Sequence, residues 1–388
     1  MPDRSRAVRT AVVGVGNMGA AHARQIAGGE IPGLELAAVC DTNPRRLQAF
    51  PDVPHFPDHH ALLASGAAEA IVIATPHYDH TTIGIDALNA GLHVLVEKPI
   101  SVHVADARRL IAAHRDPKQV FAAMFNQRTD PKYIRLKALI DSGELGAVRR
   151  VHWTITNWFR THHYYNSGGW RATWAGEGGG VLLNQCPHQL DLWQWLFGMP
   201  ERVRAFCAIA RYHDIEVEDD VTAYLEYASG ATGVFSTTTG EAPGVNRLEI
   251  AAENGLITVE GDAIRWTRNT VPMSEFSRTS AEPFAVPETE RIVWEFNGSG
   301  PQHAGILANF ADAIRAGAPL LAPAPEGIRS VELANAMLLS SAEERTLALP
   351  LDADAYAAHL RRLIDTSTFQ KRRPAAEDAP ADLSASVR

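Results

Sequence analysis

Three stretches of the 388-residue chain carry residues whose types and spacing suit joint chemistry. Gly14-Val15-Gly16-Asn17-Met18-Gly19 fits G-x-G-x-x-G and directly follows the apolar run Val8–Val13. Between a strand and a helix, Gly14 permits a tight turn, Gly16 lets backbone approach a pyrophosphate, and Gly19 lets the helix pack closely. The loop, with Asn17 and Met18 at the helix start, offers free N–H groups and a partial positive charge to phosphate. Asp41 ends the next apolar run, 22 positions after Gly19, where a carboxylate accepts from both ribose hydroxyls and repels a 2′-phosphate. NAD is therefore expected. NADP stays open because Arg45 and Arg46 follow; their other reading is a solvated helix face.

Lysine and histidine make up the remaining chemistry. Glu97-Lys98-Pro99 ends the run Leu92–Val96, and in open parallel sheets ligands sit beyond the carboxyl ends of strands. Lys98 is thus expected to face the cofactor crevice. Glu177–Asp191 leads from glycines through an apolar segment into a helix around Pro187–Leu196. Asn184, His188 and Asp191 share one face if the whole segment is helical. Histidine titrates near neutrality, which suits proton exchange with a hydroxyl. A hydrogen-bonded core histidine is the competing reading.

Positioning these groups needs a scaffold, and the first third of the chain supplies one. Short apolar runs (Val8–Val13, Leu34–Cys40, Ala70–Ala74, Leu92–Val96, Val120–Met124) alternate with helical stretches (Ala20–Ala27, Asp79–Ala90, Val104–His114). Fully apolar strands alternating with helices predict a parallel sheet covered on both faces. After Val148 the pattern becomes one of half-exposed strands (148–158, 203–209, 221–227, 232–239, 247–252, 256–260), which predicts an antiparallel meander. Helices are expected over Gln302–Ala316 and Glu326–Arg345, and a loose tail over 367–388.

Six of the eight tryptophans fall between Trp153 and Trp195, among Arg160, His162, His163, Tyr164, Tyr165 and Arg171. Aromatic faces suit the C–H surface of a sugar ring. Trp193 and Trp195 read as packing, whereas the stretch from Trp158 through Trp170 to Trp174 is open between core packing and a pocket or interface role. His162 and His163 lack the separation of helical metal ligands, and no metal is expected. His80 either lines the crevice or belongs to a helix cap. Arg128, after the Val120–Met124 run, is a substrate candidate.

A formal charge of −9, with 36 basic against 45 acidic residues, argues against nucleic acid and against a polybasic membrane dock. Cys40, Cys186 and Cys207 show no CxxC spacing, and no signal peptide or membrane-length apolar run is evident. A cytoplasmic protein is the expectation.

Taken together, the glycine loop, Ala74-Thr75-Pro76-His77-Tyr78-Asp79-His80, Glu97-Lys98-Pro99 and Gly178–Asp191 resemble the glucose–fructose oxidoreductase, inositol dehydrogenase and MocA (Gfo/Idh/MocA) family, over roughly residues 8–345. The resemblance implies an α/β protein: a Rossmann domain (1–125) and an α+β domain (126–366) whose open antiparallel sheet forms a homodimer or homotetramer. It implies an NAD(P)-dependent dehydrogenase of a sugar, glycoside or cyclitol, with Thr75, Pro76, His80 and Glu97 on the cofactor side. Lys98 would orient the reacting oxygen, His188 act as acid and base, and Asp191 hold a neighbouring hydroxyl. Trp158, Arg160, Trp170 and Arg171 are further substrate candidates. Many members carry aspartate where this chain has Asn184. An amide cannot balance positive charge, so it should favour neutral Lys98 and His188. Two other readings use the same residues: an NAD-dependent glycoside hydrolase working by transient oxidation, and a non-catalytic NAD sensor.

Overall fold

The computed structural model describes residues 6–371. The expected tail therefore lies mostly outside the described residues. Its first five, 367–371, are described and touch the body: Ser367 bonds Glu216 and Lys371 bonds the carbonyl of Arg171.

The first lobe alternates strand and helix: β1 (Val8–Val13), α1 (Asn17–Ala27), β2 (Leu34–Cys40), α2 (Pro44–Leu47), β3 (His55–Phe56), α3 (His59–Ser65), β4 (Ala70–Ile73), α4 (His77–Asn89), β5 (His93–Val96), α5 (Val104–Ala113) and β6 (Phe121–Ala123). The order β3-β2-β1-β4-β5-β6 is parallel throughout. It reverses between β1 and β4, where a doubly wound sheet opens its crevice. All four residues of β4 are buried, as helices on both faces require.

The second lobe holds α6 (Pro131–Asp141), β7 (Val148–Ile155), α7 (His162–Asn166), α8 (Pro187–Phe197), β8 (Arg202–Ile209), β9 (Glu218–Glu226), β10 (Thr232–Thr238), β11 (Asn246–Ala252), β12 (Gly255–Glu260), β13 (Ala263–Asn269), α9 (Met273–Thr279), β14 (Thr289–Glu295), α10 (Gln302–Ala316), α11 (Ile328–Ala342), β15 (Leu347–Ala348) and α12 (Ala353–Thr366). Its nine strands run β14-β13-β12-β11-β7-β10-β9-β8-β15. This corrects the simple meander. β7 lies between β10 and β11 and pairs in parallel with β10, while the other pairings are antiparallel. Alternation shows which face a strand buries, not which neighbour it takes.

One face of this sheet carries Trp153, Leu225, Phe235 and Ile250 into the core beneath α8 and α11. Trp153 and Trp193 stack at 6.4 Å, and the Trp193 indole N–H donates to Tyr227 Oη at 2.6 Å. Both are packing residues. The chain then returns to the first lobe: the N–H of Ala123 donates to the carbonyl of Ala322, and Pro323 bridges Ala122. Among the described residues no helix is long and apolar enough to cross a membrane.

Candidate active site

The crevice forms where β1 and β4 diverge. Gly14 has φ +85°, and a Cβ there would lie 2.7 Å from the carbonyl oxygen of Ala74. A Cβ on Gly19 would lie 1.8 Å from the carbonyl oxygen of Gly14. Gly16 differs: a Cβ would meet only Arg46 Nη1, at 3.9 Å, so the surface above it is open. Gly16 is also the N-cap of α1 and supplies no side-chain bond, which leaves first-turn N–H groups for an anion. Asp41 is oriented by two backbone donors, Val15 N at 2.9 Å and Asn43 N at 2.8 Å. Arg46 lies 3.6 Å from Asp41 and is spent partly on it. An open loop, an uncapped helix and an oriented carboxylate fit a dinucleotide with a free ribose.

Glu97 ties this loop to the lysine. Its Oε1 lies 2.7 Å from His22 Nε2 on α1, and its Oε2 accepts the Lys98 N–H at 3.2 Å. Burial opposes the Glu97 charge, but the His22 bond and neighbouring positive groups overcome it and hold the carboxyl at about 2. Glu97 is thus a brace between the cofactor helix and the catalytic strand. His80 is a brace as well, not an open crevice wall. Its Nδ1 lies 2.8 Å from the Pro99 carbonyl oxygen and its Nε2 2.8 Å from that of Thr75, which ties the turn after β4 to the turn after β5. Thr75 and Pro76 sit at the end of β4, against Gly14 and the start of α4.

Lys98 Nζ reaches across the cleft and donates to the carbonyl oxygen of Asn184 at 2.8 Å. Burial pushes the Lys98 ammonium towards neutrality, while Glu97 and Glu177 oppose that push. His188 stands in the first turn of α8, one turn beyond Asn184. Burial lowers its pKa well below the ordinary value, and Lys98 and His303 add to the effect. The ring is therefore neutral near pH 7, and its Nδ1 is buried without a hydrogen-bond partner among the described residues.

The expected shared face of Asn184, His188 and Asp191 does not form. The helix starts only at Pro187, and the Asn184 amide turns the other way, to Glu177. Asp191 and Arg128, both expected on the substrate, hold each other instead. Arg128 Nε and Nη2 donate to the two Asp191 oxygens at 2.8 and 2.7 Å, and Nη1 reaches Glu326 at 2.6 Å and the Leu321 carbonyl at 3.1 Å. At 2% and 1% side-chain exposure neither is open to a sugar; a guanidinium this deep needs its carboxylate.

A strap from Trp158 to Gly178 covers the cleft. Trp158 is buried and lies 5.4 Å below the Arg160 guanidinium. Trp170 is half-buried, edge-on to His77 at 5.4 Å, with Arg171 above its ring. Arg171 donates to Tyr164 Oη at 2.7 Å. His77 Nδ1 donates to the Glu177 carbonyl at 3.1 Å, and Tyr78 Oη donates to that of Trp174 at 2.8 Å, so α4 pins the strap from the first lobe. His77, Glu177 and His303 lie beside the Lys98 pocket, and sequence reasoning gave none of them a role. His77 and Glu177 lay inside quoted motifs without a role. His303 follows Gly300-Pro301 at the start of α10, and that turn was its one signal. Burial beside His22 and Lys98 lowers the His303 pKa to about 4. Separately, His59, His60 and Asp86 on α3 and α4 bring ligand-type atoms within 4.8 Å of one another.

A doubly wound nucleotide lobe whose crevice meets a lysine and a histidine from opposite walls defines an NAD-binding Rossmann oxidoreductase. Residues 8–125 match the model described as "Oxidoreductase family, NAD-binding Rossmann fold", and residues 133–258 match the GFO/IDH/MocA C-terminal domain. The chain belongs to the Gfo/Idh/MocA family. It is 34% identical over 151 residues to inositol 2-dehydrogenase of Salmonella typhimurium, which is 37% of this chain and 45% of that enzyme. The chain thus spans about half the length of that curated relative. Inositol 2-dehydrogenase of Rhizobium meliloti is 25% identical over 349 residues, covering 88% of this chain and 99% of the other. The WlbA dehydrogenase from Bordetella pertussis, crystallised with NADH and UDP-GlcNAcA, superposes with a TM-score of 0.74 at 29% identity, over 89% of this chain and 100% of the other.

Proposed function

We propose that this chain is an NAD-dependent dehydrogenase acting between a secondary alcohol and a ketone of a sugar, glycoside or cyclitol. One observation carries the reading. Lys98 from the nucleotide lobe and His188 from the substrate lobe share a pocket, joined through the Lys98 bond to the Asn184 carbonyl. Gly14–Gly19 and Asp41 would hold NAD, which when bound would accept the hydride from the alcohol carbon. Neutral His188 takes the hydroxyl proton, and Lys98 steadies the oxygen as charge develops. Trp170 and Arg171 offer a ring face and a donor to the sugar. Sugar-ring or inositol substrates of the relatives support this class over hydrolysis or sensing. The absence of any disulfide among Cys40, Cys186 and Cys207 suits a cytoplasmic setting.

Polyols and glycosides screened with NAD, read at the nicotinamide absorbance, test the proposal. Lys98→Ala and His188→Ala are each expected to lower kcat/KM by about 10²–10⁴. Turnover intact in both variants overturns it.

We also propose that the outer sheet face joins copies of the chain. Phe206 and Tyr224 stand there 64% and 43% exposed. Light scattering should give a dimer or tetramer, and Phe206→Asp should shift it towards monomer. A native monomer ends that proposal.

A further inference from the structure

Asn184 raises a charge question. Its side-chain amide cannot balance an ammonium, yet Lys98 donates to its main-chain carbonyl within a buried pocket. Among the described residues two carboxylates act on Lys98, Glu97 and Glu177. Glu97 is already committed to His22. Glu177 enters from the strap at 1% side-chain exposure. Its Oε1 accepts from the Asn184 amide, and its Oε2 accepts the Ala172 N–H at 2.5 Å. Asn184 therefore touches both groups by separate parts, its side-chain amide on Glu177 and its main-chain carbonyl on Lys98.

We propose that Glu177 is a second counter-charge of Lys98 beside Glu97, a positioning residue held near the lysine by the Asn184 side chain, which keeps the lysine cationic for its substrate oxygen. This rests on the reading of Lys98 as the residue that meets that oxygen. A purely structural role is the rival: Glu177 closes the turn at Ala172, whose φ is +56°. The other groups facing Glu177 are Arg171 and Lys371, with Tyr165 and Glu218 further round. His77 donates to its backbone carbonyl. Those facing Lys98 are His77, His188, His303, Arg160, Arg171 and Cys186. All of these persist in the variants below.

Glu177→Gln keeps an acceptor for the Ala172 N–H, and a flipped Asn184 amide accepts from its new N–H₂, so shape is preserved and charge is lost. The test is acetylation of the Lys98 amine against pH, read by peptide mass spectrometry on the full chain without substrate. Glu177→Gln is expected to lower the labelling midpoint by about one pH unit, which makes labelling about tenfold faster below both midpoints. Adding Asn184→Asp to that variant should return the midpoint towards native. An unchanged midpoint in folded Glu177→Gln overturns the proposal. If that variant does not fold, Asn184→Ala decides, because it removes the amide donor that holds the Glu177 carboxylate and should lower the Lys98 midpoint. The double variant Glu177→Gln/Asn184→Asp is then the one compared with native, and a midpoint that stays native when Asn184→Ala alone removes the hold on Glu177 overturns the proposal. Labelling needs no turnover, so a failure here is distinct from a failure of the dehydrogenase reading, which the Lys98→Ala kinetics decide.

Discussion

The two walls of the cleft are built by different means. The cofactor wall is made of neighbours in sequence: a strand, a six-residue loop and the first turn of α1, with Asp41 closing it from the next strand. Its geometry is set by the absence of side chains, since any Cβ at Gly14 or Gly19 strikes backbone. The substrate wall is made of partners far apart in the chain. Arg128 meets Asp191 and Glu326, His77 meets Glu177, and Lys98 meets Asn184. Its geometry is set by side-chain charge and hydrogen bonding. The first wall depends on steric fit and the second on keeping buried polar groups paired.

The largest expected effect tests the second wall. Arg128→Met leaves Asp191 buried and unpaired and should cost about 3–5 kcal/mol of stability by chemical denaturation. The double variant Arg128→Met/Asp191→Leu should recover most of that loss. A double variant as unstable as the single would show that the pair matters for more than mutual neutralisation. Next comes the first wall. Gly19→Ala drives a methyl into the Gly14 carbonyl and should cost about 1–3 kcal/mol. Calorimetric NAD affinity should fall with it, whereas Arg128→Met, if folded, should bind NAD as the native chain does.

Glu97 joins both walls and gives the smallest effect. Its folded pKa of about 2 lies below the ordinary 4.5. The stability it contributes is therefore complete above about pH 4.5 and is lost as pH falls towards 2. Melting temperature measured across that window should decline more steeply in the native chain than in Glu97→Gln. Equal slopes would place the acid sensitivity elsewhere.

The same contrast explains what the sequence revealed. β1, β2 and α10 begin and end where apolar runs and turn residues place them, and the glycine loop announces its ligand class by its spacing between a strand and a helix. Lys98 is legible because Glu97-Lys98-Pro99 ends a strand. His188 sits in the pocket, but its neighbours were misjudged. Arg128 and Asp191 look like ligands for a sugar because their mutual bond spans 63 positions and leaves no local trace. Glu177 is hidden for the same reason: a lone acid before glycines reads as a surface group until the strap folds over Asn184. The parallel pairing of β7 with β10 lies equally beyond periodicity, which is identical for either neighbour.

The return of the chain at Ala322 and Pro323 onto β6 bears on any attempt to use the first lobe as a portable cassette. Excised at residue 125, it would lose the segment that covers its last strand and leave Phe121–Ala123 as a bare apolar edge, the kind that templates aggregation. Grafting this nucleotide binder onto another protein calls for the distant crossing to travel with it.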